Sequence, residues 1–248
     1  FIIAGVISLF ISYMGIWIRL INDPVERTGS DFISYYSVGR IAQTRGAAHI
    51  YDPLLQQEFQ EKEVGFELVP GQVLLYYHPP FLTPLLQLVV SADYVNSFYR
   101  WIALLIAIYL CSMLVLRRVL MSAGIDGKSV LLAASGGLLF LPLFFSLMNG
   151  QDTAILLLGA SLWVFGLLSG KDVISGLGLS LLNVRPHIAL ILALPMLFYR
   201  RKVFLGFLLG SFLLALFSVV LVGIDGTYEY INILFISAGG KWYGIQQN

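Results

Sequence analysis

Apolar residues come in long blocks, far longer than the alternation of a half-buried strand or the stripe of an amphipathic helix would need. A helix needs about 20 mostly apolar residues to cross a bilayer core. Seven blocks read as spans: 1–21, 95–117, 130–148, 151–169, 173–185, 187–200 and 203–223. The fifth and sixth are short and meet at NVRPH (183–187), where Pro186, without an N–H to donate, breaks the helix ladder. An eighth block, PPFLTPLLQLVVS (79–91), has the length of an interfacial or re-entrant segment. No basic region precedes residues 1–21 and no small-residue cleavage signal follows them, so they read as a span and not as a signal peptide. The chain starts at Phe1 and stops in the polar segment GGKWYGIQQN, so both ends read as cut from a longer protein.

Charge assigns the sides. Basic residues favour the cytoplasmic face, and Arg117, Arg118 and Lys128, then Lys171, then Arg200, Arg201 and Lys202 fall in three loops on one side of the predicted hairpins. The turns NGQD (149–152) and NVRPH, and the tail from 224 to 248, then face outward. If 79–91 lies in the interface, the long segment 22–94 is external too, and this arrangement is preferred. If 79–91 crosses, that segment becomes cytoplasmic. Segment 22–94 carries most of the acidic residues but interleaves them with aromatics, so it reads as folded. Ser30 is placed to cap a helix over 31–45 that Gly46 ends. Asp52 followed by Pro53 is placed to start a second helix running to Gly65. Phe32, Tyr35, Tyr36, Val38 and Ile41 would give the first helix an aromatic side to rest on the membrane surface. The expected fold is an all-α polytopic membrane protein forming a single domain over 1–248.

Composition agrees. Charged residues are 12% of the 248, about half the share of a soluble domain, hydrophobic residues are 58%, and mean hydropathy is +0.84. A net charge of +1 argues against nucleic acid as a partner. Cys111 stands alone inside an apolar run, so neither an internal disulfide nor a thiolate metal site is expected.

In a chain so poor in ionisable groups, those near the ends of apolar blocks are the candidates for chemistry. Asp31 heads the first loop helix, where the helix dipole keeps a carboxylate ionised. Taken alone it reads first as a cap and second as a general base. His78 lies in YYHPPF, either as a phosphate contact or as one more interfacial ring. Asn149, Gln151 and Asp152 crowd one turn, and capping would account for only one of them. Arg185 and His187 flank Pro186. Ionisable groups at such depth are costly and usually functional, and arginine can grip a phosphate through paired hydrogen bonds. No phosphate-cradling glycine loop, nucleophile elbow or metal-ligand spacing is present.

DFISYYSVGR, the Gly46 to Asp52 segment ending in IYD, YHPPF, NGQDTAILLL and LLNVRPHIALILALP resemble, in their order, glycosyltransferase family 87. This family comprises mannosyltransferases that use polyprenyl-phosphate mannose and have the GT-C fold. The resemblance implies a module of seven transmembrane helices with a long first external loop, and an active site on the external, periplasmic side of the inner membrane. It implies Asp31 as the base of an inverting displacement. Arg185, where relatives often carry lysine, with His187 or His78, would bind the donor phosphate, and Tyr35, Tyr36, Asn149, Gln151 and Asp152 would line the substrate site. No cofactor or obligatory metal is implied. The expected partners are the bilayer, the lipid-linked donor and a glycolipid or glycan acceptor of the cell envelope. The alternative is a transporter or flippase for a lipid or small solute, and no convincing internal repeat supports it.

Overall fold

The computed structural model describes residues 2–122, 124–138 and 141–238. Every regular element among them is helical. The twelve α-helices are α1 (Ile2–Asn22), α2 (Pro24–Arg27), α3 (Phe32–Thr44), α4 (Pro53–Val64), α5 (Thr83–Val89), α6 (Tyr94–Ser122), α7 (Gly127–Leu138), α8 (Leu141–Met148), α9 (Thr153–Leu168), α10 (Asp172–Ser180), α11 (Pro186–Tyr199) and α12 (Arg201–Ala238). Single 3-10 turns lie at Ala47–His49, Pro70–Gln72, Pro80–Leu82 and Leu181–Val184.

Two stretches, Tyr94–Met121 and Arg201–Ala238, are long and apolar enough to cross a membrane. The other predicted spans correspond to shorter apolar helices. Block 130–148 divides into α7 and α8 around positions outside the described residues, and 173–185 ends in a 3-10 turn ahead of α11. Helix α12 does not stop at 223. It kinks at Gly223 (φ 74°, ψ −176°) and continues to Ala238, so residues 224–238, expected to begin a loop, are helical; 239–248 lie outside the described residues. The segment Pro80–Val89 would rise only about 15 Å at the helical 1.5 Å per residue, half of a hydrocarbon core of roughly 30 Å. It is therefore too short to cross as a helix.

The first loop carries the main correction. The second of its two helices starts and stops where capping chemistry places it, whereas α3 spans Phe32–Thr44 with Asp31 at its N-cap and no side-chain cap bond. Asp52 Oδ1 accepts from the Leu54 and Leu55 amides, and Gly65 closes α4 at φ 80°. Helix α3, however, does not rest on a membrane surface. Phe32, Ile33, Tyr35, Val38 and Ile41 are all at most 1% exposed, and the helix forms the centre of the main apolar core with α5, α6 and the segment around Tyr51 and Tyr76. Aromatic and aliphatic residues on every side let α3 be covered all round, by α4 and α5 as well as α6. Helix α9 packs between α6 and α10, and α10 packs on α12. That last contact is close enough that a Cβ at Gly176 would lie 2.3 Å from the Val203 carbonyl oxygen. Outward faces of α1, α11 and α12 stay apolar. Ile11, Ile191, Phe198, Val220 and Phe235 are each more than 60% exposed, an arrangement suited to lipid and not to water.

The candidate active site

The site is organised by the turn between α8 and α9. Helix α8 ends in a Schellman motif: the Gln151 amide donates to the Ser146 carbonyl (2.8 Å) and the Gly150 amide to the Leu147 carbonyl (3.0 Å). Gly150 takes φ 70°, and a Cβ there would come 2.7 Å from that of Phe32. The sequence Asn-Gly is therefore the stop signal of α8. The two carbonyls it frees are used across the fold. The Phe32 amide, at the start of α3, donates to the Asn149 carbonyl (2.9 Å), and the buried Trp101 indole on α6 donates to the Gly150 carbonyl (2.7 Å).

The next two side chains reach in two directions. Gln151 Nε2 donates to Asp31 Oδ2 at 2.6 Å. Asp152 starts α9 but caps nothing with its carboxylate. Arg185 donates from Nη2 to its Oδ1 (3.1 Å), and His78 Nδ1 lies 3.0 Å from its Oδ2, off good hydrogen-bond alignment. The other His78 nitrogen, Nε2, is 3.0 Å from the Tyr35 hydroxyl, and the Tyr51 hydroxyl holds the His78 carbonyl (2.6 Å). Tyr77 stacks on the His78 ring, 5.4 Å between centroids.

Electrostatics follow from this geometry. Burial pushes the Asp152 carboxyl up, but His78 and the Arg185 guanidinium together outweigh it and hold its pKa below the ordinary carboxylate value. Burial likewise opposes the Arg185 cation, and Asp152 more than restores it. Tyr35 is held un-ionised, first by burial and then by the charge of Asp152. The Tyr35 hydroxyl and His78 Nε2 share one hydrogen bond, and the ring's Nδ1 is on the Asp152 side.

The residues singled out from sequence therefore separate. Asp31, half-buried, and Arg185, whose side chain is 31% exposed, remain accessible. Asp152 is fully enclosed, with its carboxylate turned to Arg185 and His78. Tyr35 (1% exposed) and Tyr36 (4%) are core residues. The first orients His78, and the second donates to the Ala92 carbonyl (3.2 Å). Neither lies on a membrane surface or lines an open site. The Asn149 side chain turns back to the Phe145 carbonyl (3.1 Å). His187 is exposed on the first turn of α11 and makes no hydrogen bond or ion pair among the described residues. Sequence reasoning missed Tyr51, Trp101 and Gln56. Gln56 is fully buried, donates to the Ile50 carbonyl (2.8 Å) and accepts from the Tyr76 amide (2.7 Å), pinning the segment that leads to His78. Its only signal was a pair of amides, Gln56 and Gln60, four positions apart on one face of α4.

Beside this cluster runs an apolar groove of about 370 Å³, lined by Pro79, Pro80, Phe81, Pro186, Leu214 and Tyr230 among others. Pro79 directly follows His78 and Pro186 directly follows Arg185.

Searches of curated proteins and of solved structures return no significant match. The family model for glycosyltransferase family 87 matches residues 76–247, a segment holding His78, the 149–152 turn and Arg185 and preceded by α3 with Asp31. With that match over more than half its length, the chain belongs to glycosyltransferase family 87 and is a glycosyltransferase.

Proposed function

We propose that this glycosyltransferase takes its sugar, mannose, from a polyprenyl-phosphate donor and passes it with inversion to a hydroxyl of a glycolipid or glycan. The observation that carries this reading is the juxtaposition of a fixed, accessible cation with an apolar groove. Arg185 is held from one side by Asp152, and its enclosed Nε has no hydrogen-bond partner among the described residues. The groove begins at the prolines adjoining Arg185 and His78. A phosphate on Arg185 with its prenyl chain in the groove satisfies both. A nucleotide-sugar would leave the groove unused.

In the reaction, the acceptor oxygen forms a bond to the anomeric carbon while the bond from that carbon to the phosphate oxygen breaks. The acceptor proton passes to Asp31, and the electron pair leaves on the polyprenyl phosphate, whose growing charge Arg185 stabilises. A phosphate departs without protonation, so no second acid is needed, and the step uses neither metal nor cofactor. The apolar helices complete a seven-span GT-C module in the inner membrane, with the site on the external face. Two features support that orientation. Helix α3 contacts the 149–152 turn, and the basic loops at Arg117–Lys128, Lys171 and Arg200–Lys202 sit at the opposite ends of α6, α9, α10 and α11. Family membership weighs against the transporter or flippase alternative.

The test is sugar transfer from radiolabelled polyprenyl-phosphate mannose in membranes that supply the acceptor. Asp31→Asn is expected to abolish incorporation while inserting and accumulating normally. Full activity in that variant overturns the assignment of the base.

A further inference from the structure

The 149–152 turn joins the two accessible charges of the site through adjacent residues. Gln151 bonds Asp31 at 2.6 Å and Asp152 bonds Arg185 at 3.1 Å. The turn itself is fixed at both carbonyls, by the Phe32 amide of α3 and the Trp101 indole of α6, and its backbone is closed on α8 by the Schellman bonds. Neither side chain caps α9. The turn is closed by its backbone bonds to α8 and by the contacts at its two carbonyls, so an amide and a carboxylate that reach 120 residues back and 33 residues forward are not needed to form it.

We propose that Gln151 and Asp152 are the positioning residues of the reaction: Gln151 aims the Asp31 carboxylate, Asp152 aims Arg185, and their adjacency sets the separation of the base from the phosphate-binding cation. This rests on the reading of Asp31 and Arg185 given above. Gln151 occupies one oxygen of Asp31 and leaves the other to take the acceptor proton. Asp152 occupies one Nη of Arg185 and keeps the cation on the groove side. Misplacement of reacting groups by about 1 Å can cost on the order of 100-fold in rate, so tying both to one rigid turn makes the displacement geometry a property of four residues. The charged and titratable groups around this arrangement are Tyr35 on α3, which senses Asp31, Asp152 and Arg185 together, and, ahead of α5, His78, Tyr76, which senses Asp152, and Tyr77, which acts on Arg185. From α6 the side chain on the turn is the neutral Trp101.

The two residues predict opposite kinetic signatures, read as kcat and donor KM against pH with polyprenyl-phosphate mannose in acceptor-containing membranes. Gln151→Glu sets a second carboxylate against Asp31. The two cannot both ionise freely at that distance, so the acidic limb of the pH–rate profile is expected to move up by a unit or more, with activity recovering at higher pH and donor KM within twofold of wild type. Asp152→Asn is expected to raise donor KM about tenfold or more and to leave the limb in place. A merely structural role would lower the folded amount of either variant without this split. Should Gln151→Glu not be recovered folded, Gln151→Met, of similar length but without the donor, decides in its place through a kcat loss of at least tenfold at unchanged donor KM. An unmoved limb in folded Gln151→Glu, an unchanged kcat in Gln151→Met, or an unchanged donor KM in Asp152→Asn overturns the proposal. Asp31→Asn run in parallel separates the two readings: if it transfers normally, the base assignment falls, whereas if it is inactive and the Gln151 and Asp152 signatures are missing, only the positioning role falls.

Discussion

Arg185 shows how one residue's role depends on what surrounds it. An arginine at the end of an apolar block can always snorkel to lipid headgroups. Here one nitrogen is committed to Asp152, and its fork is thereby aimed. Lysine would preserve the charge but not the planar, two-pronged grip, so Arg185→Lys is expected to lower kcat/KM for the donor about tenfold and Arg185→Ala 100-fold or more, measured by transfer at subsaturating donor. Asp152 adds a pH dependence of stability. Its folded pKa is depressed, so its contribution is fully present above the ordinary carboxylate value near 3.8 and disappears as pH falls through the lower folded value. Thermal unfolding of detergent-solubilised wild type and Asp152→Asn is expected to differ at neutral pH, with the difference beginning to shrink only as pH falls below about 4. Asp31 and Arg185 could be read in the sequence because ionisable groups stand out against apolar blocks. The residues that fix the backbone around the site, Trp101, Tyr51 and Gln56, could not. Each is an ordinary helix or loop residue until the chain returns from far away to meet it.

At the level of elements, capping residues marked the ends of α4 correctly because Asp52, Pro53 and Gly65 act on backbone groups within a few positions of themselves. Polarity patterns were less informative for α3. Its aromatic positions were consistent with one greasy side, and only the arrival of α4, α5 and α6 decided that every side is covered. The α8–α9 turn lies between these cases: Asn149-Gly150 was a local signal, and the use made of it is tertiary. Gly150→Ala is expected to be among the more damaging small substitutions, since it adds backbone strain of about 1–3 kcal/mol and pushes a methyl into Phe32. Gly124→Ala, also at positive φ but with nothing within 4 Å of a Cβ, carries the strain alone. Thermal unfolding of both, with transfer assayed at a permissive temperature, should show a larger loss for Gly150→Ala on each measure.

Over the whole molecule, the exposed apolar faces of α1, α11 and α12 make lipid the natural surrounding, and the groove between the HPPF segment, the Arg185 turn and α12 is where the proposed lipid-borne donor would lie. Ala215, on α12 in the groove wall and exposed, has room to change without disturbing the core. Ala215→Trp is expected to raise KM for a long-chain polyprenyl donor about tenfold while a short-chain analogue is used nearly as before. Equal effects on both would show that the groove does not hold the chain. The sequence by itself determined the all-helical character, the stops of α4 and α8, and which few charges stand out, because hydropathy and capping act over one or two turns. Only the tertiary structure decided that α3 is a core helix, that Asp152 is a buried anchor, and that one turn carries both Gln151 and Asp152 to their partners. Those outcomes depend on side chains up to 120 residues apart competing for the same buried space, and burial of a polar group is settled only when its partner is in place.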